Sequence, residues 1–488
     1  MTNAPPVRGK ASPGDANSCV FNGIDGATGE YLLPPSTPRR LADLARREPH
    51  QRLTGLPGSR RGVPAAGGRE KGVEEGVDAR DLAQTGWAVV FPPSVNGEVR
   101  EALQPLLDWR RGQAGRLKEG RYRQTDVRPG ESKSDFLSRH GVAPGPAVAD
   151  RLPYYLLLVG DPEEIPFELQ YLLDVQYAVG RLHFDTADEY ERYARTVVAA
   201  ESGQVRRPRA AAFFGPCHDG DQPTVLSAEH LAAPLAAGMA RERQDWTIQT
   251  ALAGGATKSR LGELLATGGP ALLFTAGHGL CFHAGDSRQQ ALQGSLICQD
   301  WPGPGRPIAA DHYFAADDVA ENARIAGIIA FHFSCFGAGT PRVDGFPEPL
   351  FGQRQIAPRA FLSRLSKRLL AHPRGGALAV VGHVDRAWSW SFSGLSGKWP
   401  TMRPVFENAL RRLTNGYPVG YAMEFFNSCF AELAATLDEE IDRSAGGGDG
   451  RGDERLAQLW TGRNDARNYA VLGDPAVRLA VEQVEAPQ

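Results

Sequence analysis

Short, continuous apolar runs recur along this chain and alternate with stretches of helical periodicity. The apolar runs lie at 154–166, where the run ends in Gly-Asp-Pro, and at 210–216, 246–252, 271–279, 327–335 and 376–384. Helical candidates separate them at 226–241, 257–267, 357–371 and 418–437. Strands without polar alternation are typical of sheets covered on both faces, and their alternation with helices favours parallel pairing. The predicted fold class is α/β, a three-layer α/β/α sandwich with a mostly parallel sheet.

Charge and composition exclude several classes of partner. The chain has 488 residues and a formal net charge of −3, so no global field favours nucleic acid or an anionic membrane. Its six cysteines show no paired metal-ligand spacing, which favours free thiols in a reducing compartment. We find no signal-like leader and no uninterrupted apolar segment of about 18 residues. We therefore expect a cytoplasmic protein without nucleic-acid or membrane partners.

The ends of the chain differ from its middle. Residues 1–78 are rich in Pro, Gly and Arg, which predicts a disordered or extended N-terminal arm. A strand at 86–93 and a helix at 98–115 follow the arm. Near the C-terminus, SAGGGDGRGDE at 444–454 predicts a surface loop, and NYAVLGDPAVRL at 468–479 predicts a last strand and turn.

Two of the apolar runs end in residues that can carry chemistry. His278 and Gly279 end the run at 271–279, and Cys335 ends the run at 327–335. Functional groups of open parallel sheets gather at the carboxyl ends of strands, and a thiol becomes a thiolate near neutral pH when an imidazole lies nearby. These two strand ends predict a Cys-His dyad. The alternative is a structural histidine and a buried, inert cysteine.

With these segments, the sequence resembles the caspase-fold cysteine peptidases, in particular the gingipain-like group and the bacterial caspase-like domains called CHAT. The matching segments are His278-Gly279, Cys335, YYLLLVGDPEEIP, VGRL at 179–182 and YAVLGDPAVRL near the C-terminus. They span roughly residues 150 to 480. The resemblance implies a caspase-like catalytic domain at 205–488, preceded by a smaller gingipain-like α/β subdomain at 79–204.

The resemblance also implies an activity. It would be a thiol endopeptidase in which Cys335 is the nucleophile, His278 is the general base, and the backbone N–H groups of Gly279 and Cys335 form the oxyanion hole. No cofactor and no metal would be required, and the partner would be a protein substrate, as in bacterial defence or cell-death pathways. Gly279 could equally serve a tight turn.

Four residues are candidates for substrate binding. Metacaspases usually place an acidic residue just before the nucleophile and many caspases a Gln, whereas this chain has Phe333-Ser334. Asp174 and Asp385 are the carboxylates that could supply charge to the S1 pocket instead, although either could be a capping residue. Trp388 and Trp390, after the 376–384 run, resemble the aromatic wall of a caspase substrate groove, and core packing is the alternative.

Other residues near the dyad point to weaker hypotheses. Cys281 and His283 flank His278 but lack a third ligand for a metal site. His332 alternates with Cys335 on one strand, so we expect a packed histidine. The aperiodic segment 340–358 predicts a mobile loop beside the active site.

Two other functions stay open at this point. The chain could be a catalytically silent caspase-fold scaffold, or a non-proteolytic cysteine hydrolase or acyltransferase. The sequence does not predict an oligomeric state.

Overall fold

The structure is a computed structural model that describes residues 19–47, 72–74, 76–143, 145–266, 269–344, 355–393, 401–444 and 450–482. Its strands are β1 Ile24–Asp25, β2 Trp87–Phe91, β3 Tyr122–Asp126, β4 Tyr155–Val159, β5 Ala178–Leu182, β6 Ala210–Gly215, β7 Thr247–Leu252, β8 Leu272–Ala276, β9 Leu280–Cys281, β10 Leu296–Ile297, β11 Tyr313–Phe314, β12 Ile329–Phe333, β13 Gly339–Thr340, β14 Phe361–Leu362, β15 Ala379–His383 and β16 Tyr469–Gly473.

The helices are α1 Pro38–Arg47, α2 Leu82–Thr85, α3 Gly97–Ala102, α4 Gln104–Ala114, α5 Lys133–Arg139, α6 Phe167–Asp174, α7 Ala187–Glu201, α8 Gln222–Val225, α9 Ala233–Glu242, α10 Lys258–Ala266, α11 Gln289–Leu292, α12 Arg364–Leu370, α13 Trp390–Ser393, α14 Arg403–Thr414, α15 Val419–Ser444 and α16 Gly450–Arg467. A π-helical stretch at Leu226–Ala232 joins α8 to α9, and 3₁₀ turns lie at Glu119–Arg121, Ala253–Gly255, Ala310–His312 and Ala316–Asp318. In the described part of the chain, none of these helices has the length and apolarity that a membrane span requires.

A central sheet organises the molecule. Among the described residues it has ten strands in the order β3-β2-β4-β5-β16-β15-β12-β8-β6-β7. Every neighbouring pair is parallel except β15 with β16. All residues of the eight inner strands are buried, as expected when both faces are covered. The predicted α/β class with a mostly parallel sheet is confirmed.

The two edge strands differ from their neighbours. The run at 246–252 reads as a buried strand, but most residues of β7 are exposed or half-buried because this strand closes the sheet. On the opposite edge, β3 has the polar sequence YRQTD and is also partly exposed. An edge strand has one neighbour only, so polar side chains are tolerated there and the apolar signal is weak.

The N-terminal arm does not behave as its composition predicts. Over residues 19–47 the chain is ordered, because Leu41 and Leu44 of α1 are buried and α1 packs on α16. Upstream of α1, β1 pairs in parallel with β9. Helix α1 departs from the expectation of a disordered or extended arm over 1–78, while residues 1–18, 48–71 and 75 lie outside the described residues.

A buried ion cluster joins the early strands to the C-terminal strand. The Arg110 guanidinium contacts Asp474 and Glu201, each at 2.7 Å, and Trp87 Nε1 donates to Asp474 at 3.0 Å. Burial alone would lower the pKa of Arg110, but the charges of Asp474 and Glu201 raise it. Arg110 thus stays charged and holds α4, α7 and the end of β16 together.

We predict that Arg110→Ala lowers the free energy of unfolding by about 3 kcal/mol or more, because the buried Asp474 and the largely buried Glu201 lose their counter-ion. Arg111→Ala is the matched control, since Arg111 is 54% exposed in its pair with Asp108 and should cost about 1 kcal/mol or less. Urea denaturation of both variants measures the difference, and equal effects would contradict this role for Arg110.

Candidate active site

The register of two central strands brings the predicted dyad residues together. In the β8–β12 pair, Ala276 lies opposite Phe333, and the N–H of Gly277 donates to the Phe333 carbonyl at 3.0 Å. His278 and Cys335 each follow two residues after these partners. Because the strands are parallel, both side chains leave the sheet at the same carboxyl edge.

A third strand end supplies a carboxylate that the sequence analysis missed. Asp221 follows β6, which pairs with β8, and its Oδ2 lies 2.8 Å from Nε2 of His278. Thr224 Oγ1 donates to the same carboxylate at 2.7 Å. The cluster His218-Asp219-Gly220-Asp221 directly after the 210–216 run was the available signal, because it places carboxylates at the same sheet edge.

The Asp221 carboxylate is held in its ionised form. Burial would raise its pKa, but the charge of His278 and hydrogen bonds from His218, His278 and Thr224 lower the pKa well below the usual range. An ionised carboxylate at Nε2 fixes the imidazole ring and stabilises its protonated form. Asp221 is therefore suited to orient a histidine that exchanges protons through Nδ1.

The other imidazole nitrogen faces the N-terminal segment of the chain. The backbone N–H of Gly23 donates to Nδ1 of His278 at 2.9 Å, so Nε2 carries the ring proton and donates to Asp221. A Cβ built on Gly23 would lie 3.2 Å from Sγ of Cys335. The thiol and the imidazole thus stand on either side of the peptide chain at Gly23.

The thiol of Cys335 is buried and lies close to polar groups. The N–H of Ala387 donates to its Sγ at 3.2 Å, and the same Sγ lies 3.9 Å from the Ala387 carbonyl oxygen. Cys281 lies beside Cys335. Its burial is the larger cause, and its interaction with Cys335 the next, of a pKa of the Cys281 thiol well above the ordinary value. Cys281 is therefore protonated at neutral pH.

Gly279 contacts Cys335 directly. A Cβ at Gly279 would lie 2.0 Å from the carbonyl oxygen of Cys335, so no other residue fits there. In the described part of the chain, the N–H groups of Gly279 and Cys335 make no hydrogen bond to another backbone group. Both donors are thus available for an acceptor.

Both candidate tryptophans contact the N-terminal residues Val20 and Phe21, which lie close to the site. Trp388 is fully buried and packs edge-on against Phe21 with ring centroids 4.4 Å apart. Trp390 donates through Nε1 to the carbonyl of Val20 at 3.0 Å. The two rings therefore contact residues that precede Gly23.

The two candidate carboxylates are engaged by groups of the protein itself. The backbone carbonyl of Asp385 accepts from the N–H of Phe336, which follows Cys335, and its Oδ1 accepts from Nε of Arg386 at 3.0 Å. Asp174, at the end of α6, accepts from the N–H of Val179 at 3.1 Å. Burial raises the pKa of Asp174 well above the ordinary value. Charge recognition of a substrate by either residue stays a prediction.

His332 and His283 each have a polar partner other than the dyad residues. His332 Nδ1 lies 2.8 Å from Thr275 Oγ1, and burial lowers the pKa of this histidine to about 4. His283 contacts Asp25 at 3.3 Å. Among the described residues, no three His, Cys, Asp or Glu side chains form a group that could hold a metal ion. Most of the predicted mobile loop at 340–358, namely 345–354, lies outside the described residues.

A pocket of about 100 Å³ opens beside the end of β12. Its lining residues are Leu32, Leu33, Phe282, His283, Ala284, Gln293, Phe336, Asp344, Ile356 and Arg386. Because Phe336 follows Cys335 directly and Leu32 and Leu33 belong to the N-terminal segment, the pocket adjoins the site on the side where this segment leaves it.

Comparisons with known proteins give fold-level likenesses only. No family model and no curated protein matches the chain. A solved structure titled "Structure of Protease" is 14% identical, with a TM-score of 0.46, and the match covers 82% of this chain and 80% of that one. The complex of the pro- and mature domains of RgpB from Porphyromonas gingivalis is 12% identical, with a TM-score of 0.42 and coverage of 81% and 80%.

We predict that Gly279→Ala lowers the thermal midpoint of unfolding, because the new methyl group overlaps the Cys335 carbonyl and the turn must shift. Gly262→Ala in α10 is the matched control, since a methyl group there meets nothing closer than 3.8 Å. It should leave the midpoint unchanged or raise it through helix propensity. A Gly279→Ala midpoint equal to that of the wild-type protein would refute the close contact.

Proposed function

We propose that this chain is a cysteine endopeptidase in which Cys335 is the nucleophile, His278 the general acid and base, and Asp221 the residue that orients His278. One observation supports this proposal above the others. A thiol, an imidazole and an ionised carboxylate lie at the carboxyl ends of β12, β8 and β6, with a peptide N–H on the imidazole nitrogen that faces away from the carboxylate. This is the order of groups that acyl transfer to a thiol requires.

Each group has a defined part in the proposed reaction. The thiol proton of Cys335 passes to Nδ1 of His278, and the thiolate attacks the carbonyl carbon of the substrate. The N–H groups of Gly279 and Cys335 stabilise the negative oxygen of the tetrahedral intermediate. His278 then donates its proton to the leaving amide nitrogen, and water hydrolyses the thioester with His278 as base. Asp221 stabilises the imidazolium in both steps.

The finer assignments rest on the resemblance of the sequence motifs. In this proposal the chain is a caspase-fold relative of the gingipain-like or CHAT kind, with a gingipain-like subdomain at 79–204 before a catalytic domain at 205–488. It acts in the cytoplasm on a protein substrate, such as an effector of a bacterial defence pathway, and needs no cofactor.

We predict that Cys335→Ala and His278→Ala each abolish peptide cleavage while the far-UV spectrum and thermal midpoint stay close to wild type. A quenched-fluorescence peptide library, with cut sites identified by mass spectrometry, measures the activity. Cys298→Ala and His230→Ala are the controls and should retain activity. The buried Cys298 thiol donates a hydrogen bond to the Leu296 carbonyl, and His230 is exposed. Substantial turnover by Cys335→Ala would eliminate the proposed nucleophile.

We predict that Asp221→Asn lowers kcat by about 10²- to 10⁴-fold with little change in KM, because the neutral amide no longer stabilises the imidazolium. Asp219→Asn changes a neighbouring exposed carboxylate and should keep kcat. An Asp221→Asn variant with normal kcat but raised KM would assign this residue to binding instead of histidine orientation.

A further inference from the structure

Residues 20–25 of the chain cross the candidate active site, with a bend at Asn22 and Gly23 before the strand β1. Val20 and Phe21 contact Trp390 and Trp388 on one side of the dyad. On the other side, Ile24 and Asp25 pair in parallel with Leu280 and Cys281, directly after His278-Gly279. The segment thus contacts the site on both sides of Gly23, as a bound peptide would.

The side chain of Asn22 fills a closed polar pocket. It is fully buried, and its Nδ2 donates to the carbonyl of Gly277 at 3.3 Å. Its Oδ1 accepts from the N–H of Ser389 at 3.1 Å and from the Ser389 hydroxyl. A carboxamide satisfies this mixture of one acceptor and two donors, whereas a carboxylate would set a negative oxygen against the Gly277 carbonyl.

The next residue lies between the two reactive groups. Gly23 has φ of +102°, its N–H points at Nδ1 of His278, and a side chain on it would meet the sulfurs of Cys335 and Cys281 at 3.2 and 3.3 Å. Glycine is required here for both its conformation and its lack of a side chain. The Gly23 nitrogen, whose N–H donates to His278, is the nitrogen that would leave if the Asn22–Gly23 bond were broken.

We propose that the Asn22–Gly23 peptide bond is cut by the chain's own dyad, and that the pocket formed by Gly277 and Ser389 selects asparagine at P1, the residue whose carbonyl is attacked. This inference rests on the proposed function. Until the bond is cut, the segment occupies the site and excludes other peptides.

The bonds and protons balance with water as the co-reactant. The Cys335 thiolate attacks the Asn22 carbonyl carbon, the C–N bond to Gly23 breaks, and His278 delivers the former thiol proton to the Gly23 nitrogen. Water then hydrolyses the Asn22 thioester, which gives a carboxyl group on residues 1–22 and restores the thiol.

The test is intact-mass analysis of the purified full-length chain during incubation. The wild-type protein should release residues 1–22 and leave a new N-terminus at Gly23, while Cys335→Ala stays uncut. The rate should not change on about tenfold dilution, because the substrate belongs to the same chain. The variant Asn22→Asp keeps the shape of the side chain and removes its amide donor. Its 22–23 bond should be cut at least about 100-fold more slowly than that of the wild-type protein.

The chain offers an internal control for chemistry at Asn-Gly bonds. The same dipeptide occurs at Asn96-Gly97 and at Asn415-Gly416, away from the dyad. These bonds should stay intact while Asn22–Gly23 is cut. Equal cutting at all three bonds, or cutting in Cys335→Ala, would overturn the inference in favour of spontaneous or contaminating cleavage.

Cleavage assays on synthetic peptides distinguish failure of this inference from failure of the proposed function. The peptide VFNGID, which copies residues 20–25, should be cut after Asn, and VFDGID about 100-fold more slowly. If the protein cuts library peptides after other residues but spares both VFNGID and its own segment, the inference fails and the peptidase stands. If it cuts VFNGID but never itself, self-cleavage is overturned. No cleavage of any peptide would remove the proposed function as well.

Discussion

The parallel, in-register pairing of β8 with β12 is the constraint on which the site depends. Because Ala276 and Phe333 are paired across the two strands, His278 and Cys335 leave the sheet at the same level. If the register of the two strands shifted by one residue, one of these side chains would point into a layer of helices instead of into the site. Complete burial of both strands makes such a shift costly, because each apolar side chain would change faces. The geometry of the dyad is thus a consequence of the core.

Two further layers of contacts hold the site from outside. Asp221 fixes the imidazole of His278 from the neighbouring strand end. On the other side, Asp465 of α16 accepts from the N–H of Trp388 at 2.9 Å and from Ser391 Oγ at 2.7 Å, and it also contacts His383 at 3.0 Å. The loop after β15 is therefore anchored to a helix, which holds its tryptophans against residues 20–21.

The sequence predicts the centre of the fold well, because buried parallel strands have strong apolar runs. Those at 271–279, 327–335 and 376–384 contain β8, β12 and β15. The dyad candidates followed from the ends of these runs. Helix α16 was missed because its first residues belong to the glycine-rich stretch at 444–454, where local composition predicts a loop and tertiary packing on α1 and α15 decides otherwise.

The N-terminal segment shows a second limit of sequence reasoning. Averaged over residues 1–78, Pro, Gly and Arg hide the short apolar stretch around Phe21 and Ile24, both of which are buried. Its position depends on contacts with residues more than two hundred positions away, such as Gly277 and His278. No local pattern encodes such contacts. Asp221 was missed for a related reason, since its role depends on β6 lying beside β8.

The most direct measurement is covalent capture of the nucleophile by peptides that carry an electrophilic ketone at the C-terminus, pooled over different last residues. Tandem mass spectrometry of the digested adduct identifies the modified thiol. Cys335 is buried, whereas Cys217 and Cys429 are partly exposed, so non-specific alkylation would favour the latter two. We expect a single adduct on Cys335 that His278→Ala suppresses. Adducts on Cys217 or Cys429 with Cys335 unmodified would contradict a nucleophilic role for Cys335.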